Sequence, residues 1–497
     1  MLELLLFTPL AAGAVMFIPG AWPRRLLLLL TAVAHIALAS VVFTQVNANE
    51  KPAALGGLLE PDALGVVFLM IASILFLATA CYSIGYLKQE EKKEVRRDIQ
   101  KGDLFTNAPE ARFLACLCFF VAAMTLVTVT PNLGALWVGI EATTLASAPL
   151  IYFHRHRSSM EATWNYLMIC SVGIALALLG NILMEVAFHR SAATAGGGMN
   201  QLAAFIKAGA NGGVDPLWLK AAFIFLLVGY GTKMGLAPMH TWLPDAHSQA
   251  PSMVSGLLSG ALLNGALHGI LRGHQIMTAA GLCGFSSDLL VFFGLLSMVT
   301  AMVFIVGQGH YKRLLAYSSV EHMGILALAC GIGGSALFGG MLHALCHSLT
   351  KCMLFLVAGN ILTRYHTFSS HDVSGLRQDM PLSGALWTAG FLAIVGSPPF
   401  GLFVSEFIIL KGIFARGGML TAAVYLTALA VIFVGMSVPV LRMVQGTPSH
   451  DVAIDYHESA YSVLPPAALC LAVLCLGFWV PDWLAEALNR AAALLGA

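Results

Sequence analysis

Runs of about twenty apolar residues, separated by short polar stretches, recur along the whole chain. A helix of that length crosses the hydrocarbon core of a bilayer. The pattern therefore predicts an all-α polytopic membrane protein with about fourteen transmembrane helices. We place these spans at 2–20, 24–46, 62–86, 112–130, 132–153, 161–188, 217–240, 251–276, 285–307, 313–333, 337–363, 383–415, 419–444 and 462–490.

Two of the predicted spans are interrupted by residues that disfavour a continuous helix. Span seven is broken at 235–238, just after Lys233, and span twelve at 396–401, just before Glu406. Proline lacks an amide donor, so both breaks free backbone groups at membrane depth. Interrupted spans in corresponding positions indicate transport sites at the interface of two repeats.

The two breaks are five spans apart. Because five is odd, a second copy of the repeat enters the membrane from the opposite side. We therefore predict inverted five-helix repeats, formed by spans 4–8 and spans 9–13. The resulting domains are an N-terminal segment with three helices and a charged loop (1–111), the first repeat (112–278), the second repeat (279–446) and a C-terminal helix (447–497).

Composition supports a membrane protein and excludes several other classes. Hydrophobic residues make up 58% of the chain and charged residues only 10%. The net charge of +1 does not provide the clustered basic surface that nucleic acid requires. None of the ten cysteines has the two-residue spacing of a zinc or iron–sulfur ligand set, and no catalytic motif of soluble enzymes occurs. We expect no catalytic residue, no cofactor and no metal.

Basic residues predict the orientation of the chain. Loops after odd-numbered spans hold most of the lysines and arginines, so the positive-inside rule makes them cytoplasmic and both termini external. The charge-dense segment 88–112 belongs to one of these loops. It is either a solvated loop with a short helix or a docking site for a peripheral partner.

Ionisable residues inside the spans are the candidate functional groups, because a charge at bilayer depth is costly. Lys233 lies near the end of span seven, and Glu141 lies in span five without a charged neighbour on its own helix. We expect the two to pair, with separation favouring loss of the lysine proton. The alternatives are a lysine that reaches the membrane interface and a glutamate that only hydrogen-bonds a neighbouring helix.

His343, His347 and Lys351 recur every four residues in span eleven and so share one helix face. This spacing is typical of a proton relay; a metal site is less favoured because no acidic residue stands beside them. Further polar candidates are Asn264 and His268 in span eight, His322 in span ten, His240 at the mouth after the first break and Glu406 after the second break. For Glu406, the alternative is a carboxylate at the aqueous surface.

Several segments resemble one known family. The run TKMGLAPMHTWLPDAHSQAPSMVSGLLSG, together with WVGIEATTLAS, HYKRLLAYSSVEHMG and HALCHSLTKCMLFLVAGN, is similar to the antiporter-like, proton-translocating subunits of respiratory complex I, multisubunit sodium/proton antiporters and membrane-bound hydrogenases. The resemblance covers essentially the whole chain. Within the family it extends to the F component of hydrogenase-4-type formate hydrogenlyase complexes.

The resemblance implies roles for individual residues. Glu141 and Lys233 match the proton-handling pair of a first half-channel, and Glu406 matches the terminal group of a second. His343, His347 and Lys351 match the connecting residues. Many members carry a lysine where Asn264 aligns, which leaves the link between half-channels to His268 or water.

The resulting hypothesis is a multi-pass subunit of the bacterial or archaeal inner membrane that couples electron transfer in partner subunits to proton movement. The partners would be other membrane and peripheral subunits of a hydrogenase or a complex I-like assembly, and the subunit itself would hold no cofactor. A sodium/proton antiporter module and the membrane subunit of an inorganic-carbon uptake complex remain open as alternatives.

Overall fold

The computed structural model describes residues 1–91, 96–97, 104–192, 201–448 and 458–496, and it is almost entirely helical within them. The first half comprises α1 (Leu2–Val15), α2 (Ala21–Asn47), a 3-10 turn (Leu55–Gly57), α3 (Ala63–Glu91), α4 (Glu110–Val129), α5 (Leu133–Ile151), α6 (Arg157–Ala192), α7 (Leu202–Ala210), α8 (Pro216–Met234), α9 (Trp242–Gln249), α10 (Ser252–Leu257), a π-helical turn (Leu258–Leu262) and α11 (Leu263–Ala279). The second half comprises α12 (Cys283–Ile305), α13 (Tyr311–Ile332), α14 (Ser335–Tyr365), α15 (Leu376–Asp379), α16 (Pro381–Ile394), α17 (Gly401–Ala415), α18 (Met419–Val444), α19 (Ala460–Phe478) and α20 (Asp482–Ala493).

The all-α polytopic class is confirmed. Among the described residues, twelve helices are long and apolar enough to cross a membrane. The other two predicted spans correspond to α1, whose 14 residues extend only about 21 Å, and to the broken pair α16 and α17. Each of these three helices is shorter than a continuous span, so a length criterion alone does not identify it as a membrane-spanning segment.

The predicted break after Lys233 is confirmed, and its geometry depends on glycine. Helix α8 ends at Met234, six residues earlier than predicted, because Gly235 takes a left-handed conformation with φ of 82°. A Cβ on Gly235 would lie 2.5 Å from a methyl carbon of Leu243. The short helix α9 then carries the chain onward to α10.

The predicted break before Glu406 is also confirmed. Helix α16 ends at Ile394, and α17 begins at Gly401 after a turn that contains Gly396 with φ of 65°. Residues 395–400 lack regular helix hydrogen bonding, which explains why neither half is long enough to span a bilayer alone.

The prediction for the last span was wrong in its second half. Helix α19 ends at Phe478, and a separate helix, α20, follows Pro481. Apolar residues continue past the end of α19, but proline has no amide to extend the ladder. Helix α20 instead lies against the rest of the protein, where Arg490 donates to the backbone oxygen of Asn47 at 2.6 Å.

The charge-dense segment between α3 and α4 is described only in part. Strands β1 (Arg96–Arg97) and β2 (Leu104–Phe105) pair in antiparallel register, in place of the predicted short helix. Residues 92–95 and 98–103, on which the docking prediction largely depends, lie outside the described residues.

Three helical segments form the centre of the bundle. Residues 252–279, which combine α10, the π-helical turn and α11, are almost completely buried, as are α13 and α14. Helices α2, α12, α18 and α19 form much of the periphery, and most of their side chains are not buried. Most of the polar residues described next lie on these three segments.

Candidate functional site

A row of buried ionisable and polar side chains runs through the central helices. Its members come from α8, α11, α13, α14 and α17, and each is at most 6% exposed: Lys233, Asn264, His268, Glu321, His322, His343, His347, Lys351 and Glu406. Such groups are costly in an apolar interior unless other polar groups satisfy them.

Lys233 ends α8 at the helix break and is fully buried. Its ammonium nitrogen donates to the Thr144 hydroxyl at 2.5 Å and to the Tyr166 hydroxyl at 2.7 Å. The Tyr166 hydroxyl also bonds the Ser147 hydroxyl at 2.7 Å, and Trp242 packs against the tyrosine ring. The lysine is therefore held by neutral oxygens from α5 and α6.

Glu141 lies one helical turn before Thr144 on α5, but its carboxylate does not touch Lys233. One oxygen accepts from the Ser171 hydroxyl at 3.5 Å, and the other has no partner among the described side chains. No ion pair within 4.0 Å joins Glu141 to Lys233 in the part of the chain that the structure describes. The structure thus shows the pair in a separated arrangement, in which Lys233 bonds the Thr144 hydroxyl and Glu141 bonds Ser171.

The π-helical turn leads directly into Asn264 and His268 on α11. The Asn264 amide donates to the Gly260 oxygen at 2.9 Å and to the Ser348 hydroxyl of α14 at 2.8 Å. Both ring nitrogens of His268 lack partners among the described residues, and its ring packs edge-on against Phe68. Asn264 is therefore tied to the central helix, while His268 is free to bond water.

An ion pair missed by the sequence analysis closes this end of α11. The Arg272 guanidinium donates to both Asp62 carboxylate oxygens, at 2.6 and 2.7 Å, and to Gln275. Burial alone would raise the pKa of Asp62, but the adjacent Arg272 charge and its hydrogen bonds lower that pKa from 3.8 to about 2. Because the partners are far apart in the chain, no local spacing could have revealed them.

Lys351 occupies the centre of α14 and bonds to α13. Its ammonium nitrogen donates to the Leu315 oxygen at 2.6 Å and to the Ser318 hydroxyl. Glu321 lies one turn further along α13, and one of its carboxylate oxygens has no partner among the described residues. Glu321 was not among the predicted site residues, although it lies in the middle of α13 and is 1% exposed.

Three histidines from α13 and α14 form one cluster. The His322 Nδ1 and His343 Nε2 atoms are 3.0 Å apart. The His347 ring centre lies 5.0 Å from that of His322, but neither of its ring nitrogens has a hydrogen-bond partner among the described residues. The predicted face of α14 therefore meets a histidine of the neighbouring helix.

The outer hydrogen bonds of this cluster constrain its protons. His322 Nε2 lies 3.0 Å from the Ile394 carbonyl, which can only accept, so this nitrogen carries a hydrogen. His343 Nδ1 lies 3.0 Å from the Ser405 hydroxyl, whose single hydrogen can point either to this nitrogen or to the Leu402 oxygen at 2.8 Å. The Ser405 rotor therefore determines whether His343 donates or accepts.

Each hydroxyl orientation corresponds to a different number of protons. When Ser405 donates to His343, the two imidazoles are neutral and His343 donates to His322. When Ser405 turns to Leu402, His343 carries a hydrogen on Nδ1, and the bond between the rings then requires one additional proton. The chain Ser405–His343–His322 can therefore hold an extra proton without losing a hydrogen bond.

Glu406 lies beside this cluster, immediately after the second helix break. It is 6% exposed, and one oxygen has no partner among the described residues. A Cβ on Gly396 would overlap the carboxylate, so the glycine in the break allows Glu406 to approach it. The predicted terminal group is thus buried at the break and does not lie on the aqueous surface.

His322, His343 and Glu406 are also a possible metal-ligand set, since their ligand atoms lie within 4.8 Å of one another. Two imidazole nitrogens on a tetrahedral zinc ion at ~2.0 Å are about 3.3 Å apart. The observed separation of 3.0 Å is typical of a shared hydrogen. This geometry suits a proton better than a metal.

His240 lies apart from the row, in the segment between α8 and α9. Its ring centre is 6.3 Å from those of Phe304 and Tyr317, and its Nδ1 has no partner among the described residues. Lys312, which the sequence places in a cytoplasmic loop, is buried instead and donates to the Ala250 oxygen at 2.6 Å.

Comparisons with known proteins point to one family. Residues 130–432 match the model described as NADH:quinone oxidoreductase/Mrp antiporter, transmembrane. The chain is 36% identical to a hydrogenase-4 component F homolog of Methylacidiphilum infernorum (isolate V4), over 87% of this chain and 88% of that protein. It is 27% identical to hydrogenase-4 component B of Escherichia coli (strain K12), over 84% of this chain and 61% of that protein.

Solved structures share the fold. A chain of the archaeal membrane-bound sulfane sulfur reductase superposes with a TM-score of 0.85 at 20% identity, covering 99% of this chain and 97% of that chain. A chain of the Mrp complex from Dietzia sp. DQ12-45-1b gives 0.82 at 20% identity, with coverage of 99% and 97%. A chain of Thermus thermophilus respiratory complex I gives 0.81 at 20% identity and covers both chains completely.

Proposed function

Since the chain belongs to the NADH:quinone oxidoreductase/Mrp antiporter transmembrane family, we propose that it moves protons across the membrane as a subunit of a membrane-bound redox complex. It is an antiporter-like subunit, and its relatives are named as components of multisubunit membrane complexes. The proposal assigns the transport to the buried row of polar side chains.

The observation that carries this proposal is the chain Ser405–His343–His322. It is fully buried, its members are linked at 3.0 Å, and it accommodates one additional proton by rotation of one hydroxyl. A relay needs such a group, because a proton must enter and leave without stranding a buried charge. When ionised, the neighbouring Glu406 carboxylate would stabilise the protonated form.

The first half of the route centres on Lys233. Its ammonium group bonds the Thr144 hydroxyl, and Thr144 is one turn from Glu141. A small side-chain movement would therefore replace the neutral hydroxyl by the Glu141 carboxylate as the partner of the lysine. Tyr166 and Ser147 continue the hydrogen-bonded chain away from the lysine. A change of charge in a partner subunit beside Glu141 would bias this exchange.

The centre of the route requires water. No hydrogen bond between described residues joins the Lys233 group to Asn264. His268, with two unpartnered ring nitrogens, and the free oxygen of Asn264 provide polar anchors for bridging waters. Protons would then pass His347 and Lys351 to the His343 pair and leave near Glu406.

Repeat architecture and orientation complete the proposal. Residues 112–278 and 279–446 each contain one broken helix next to an ionisable side chain, which supports two inverted repeats with one half-channel each. The distribution of basic loop residues supports an orientation with both termini on the external side of the inner membrane.

A hydrogenase is the proposed source of the redox energy. The support is the 36% identity to a hydrogenase-4 component F homolog over most of both chains. The electron-transfer groups would reside in partner subunits, and this chain would contribute only proton-carrying side chains. Purification of the native complex with its hydrogenase subunits would test this assignment.

Replacement of Lys233 tests the transport function directly. In reconstituted vesicles of the assembled complex, Lys233→Ala should reduce redox-driven proton uptake by at least tenfold while electron transfer and subunit composition persist. The matched control is Lys220→Ala, which removes a lysine of the same helix whose ammonium nitrogen lies 5.4 Å from the centre of the Phe285 ring. Undiminished uptake in the Lys233 variant would reject the proposal.

Sodium/proton exchange is the second candidate, because the matching family model includes Mrp antiporters. Two buried carboxylates with unpartnered oxygens, Glu321 and Glu406, are suitable sodium ligands. Replacing sodium with choline in the vesicle assay separates the two functions: proton uptake that persists supports a proton pump, and uptake that stops supports exchange.

A further inference from the structure

A groove of about 650 Å³ opens on the periphery of the bundle, where the C-terminal ends of α12 and α18 meet the loop after α14. It is separate from the buried row, and the proposed transport does not use it. One end is apolar and the other is polar, which is the division expected for a ligand at a membrane surface.

The polar end presents an arginine that lacks an ion-pair partner and a serine hydroxyl that lacks a hydrogen-bond partner among the described residues. Arg442 is exposed in the last turn of α18 and donates to His371 Nδ1 at 2.5 Å. None of the ion pairs among described residues involves Arg442, so no carboxylate neutralises its charge there. The Ser370 hydroxyl is 1% exposed and has no partner within the described chain.

These groups match the oxygens of a phosphate. Arg442 bonds His371, the chain neighbour of Ser370, and both Arg442 and Ser370 line the groove. A guanidinium and a hydroxyl in this arrangement can bind an anion with several acceptor oxygens, since charge-assisted hydrogen bonds are the stronger ones. The buried Ser370 hydroxyl is the more specific indication, because a buried hydroxyl without a partner is costly.

The apolar wall continues from this polar end along α18. Val431, Val434 and Val438 line the groove, and Val306 at the end of α12 faces them. Val434 and Val438 are 61% and 57% exposed. From Val431 to Arg442 the helix rises about 16 Å, roughly half of the ~30 Å hydrocarbon core and thus the depth of one leaflet.

We infer that this groove binds one glycerophospholipid, with its phosphate at Arg442 and Ser370 and an acyl chain along the valine wall. A free phosphate would use only the polar end. A helix of a partner subunit would use the valine wall but has no need of a buried hydroxyl or of an arginine that lacks a carboxylate partner among the described residues. The phospholipid accounts for both ends.

Native mass spectrometry of the purified complex tests this binding. After delipidation, the complex is incubated separately with phosphatidylglycerol, phosphatidylethanolamine and inorganic phosphate, and lipid bound to this subunit is counted. We expect one bound phosphatidylglycerol per subunit and no displacement by millimolar phosphate. Displacement of the lipid by phosphate alone would overturn the role of the acyl wall.

Substitutions locate the site. Arg442→Gln should lower lipid retention about fivefold, the factor that corresponds to ~1 kcal/mol for one basic residue at a membrane surface. Val434→Trp should lower it by filling the groove while leaving the arginine in place. The control Arg377→Gln removes an exposed arginine from the loop segment after α14, away from the groove, and should change nothing.

Two results would overturn the proposal. One is equal retention in the Arg442 and Arg377 variants, which would assign the lipid to a different surface. The other is a cross-link from Val434→Cys to a partner subunit in the intact complex, which would show that protein covers the groove.

Discussion

The ion pair between Asp62 and Arg272 offers a quantitative test of how the buried row is positioned. We expect Asp62→Asn to reduce the free energy of unfolding by about 2 kcal/mol at pH 7. Lowering the Asp62 pKa from 3.8 to about 2 corresponds to about 2.4 kcal/mol at 1.36 kcal/mol per pKa unit. We reduce this to about 2 kcal/mol because a third of the Asp62 side chain remains exposed.

The pH dependence of this effect has a definite sign. A carboxylate with a lowered pKa stabilises the folded state above its unfolded value of 3.8, and the contribution disappears as the pH falls through about 2. The difference between the wild type and Asp62→Asn should therefore be constant from pH 5 to 8 and shrink to about half at pH 3.

Thermal unfolding of the detergent-solubilised protein measures this difference. The matched control is Glu60→Gln, because Glu60 is an exposed acid two residues away that bonds only through its backbone amide. A variant of both Asp62 and Arg272 should recover part of the loss, since no buried charge is left unpaired. If Asp62→Asn and Glu60→Gln are equally stable, the ion pair does not hold α11 in place.

Three further predictions concern the row itself and its helix break. Tyr166→Phe removes one of two hydrogen bonds to Lys233 and should slow proton uptake in vesicles about tenfold, whereas Tyr152→Phe should not; equal rates would exclude Tyr166 from the route. Ser405→Ala removes the rotatable hydroxyl beside His343 and should abolish the state with the extra proton. The measurement is the imidazolium signal in nitrogen-15 NMR, which should be lost; an unchanged signal would refute the role of the Ser405 hydroxyl. Gly235→Ala should lower the thermal stability by more than Gly417→Ala. Both residues have a positive φ, but only at Gly235 would the added methyl group clash, with Leu243. Equal losses of stability would contradict this clash.

The sequence was sufficient to predict most of the fold because the bilayer imposes a simple length rule on apolar helices. The two breaks were also predictable, since Gly235, Gly396 and the nearby prolines disrupt the helix ladder. The last span was misplaced because apolar residues continue to Pro481 and hydropathy does not register the change of helix direction there.

The candidate site was predictable only where a single residue type is unusual in its setting. Lys233 and the three residues of α14 stand out as charges or histidines within apolar runs. Thr144 and Ser405 do not, because hydroxyls inside helices usually bond the preceding turn of their own backbone. Their roles depend on neighbouring helices, and a single sequence contains no record of that contact.

The π-helical turn at Leu258–Leu262 has a consequence for how insertions and deletions affect this protein. A π-helical turn accommodates one residue more than an α-helical turn, and each residue advances an α-helix by about 100°. Deleting one residue there would leave a regular helix with Asn264 and His268 still facing Ser348 and Phe68, because the turn itself holds the extra residue. Inserting one more residue would instead rotate both side chains by about 100°. The phase of the polar row on α11 therefore tolerates the loss of one codon within this turn but not the gain of one.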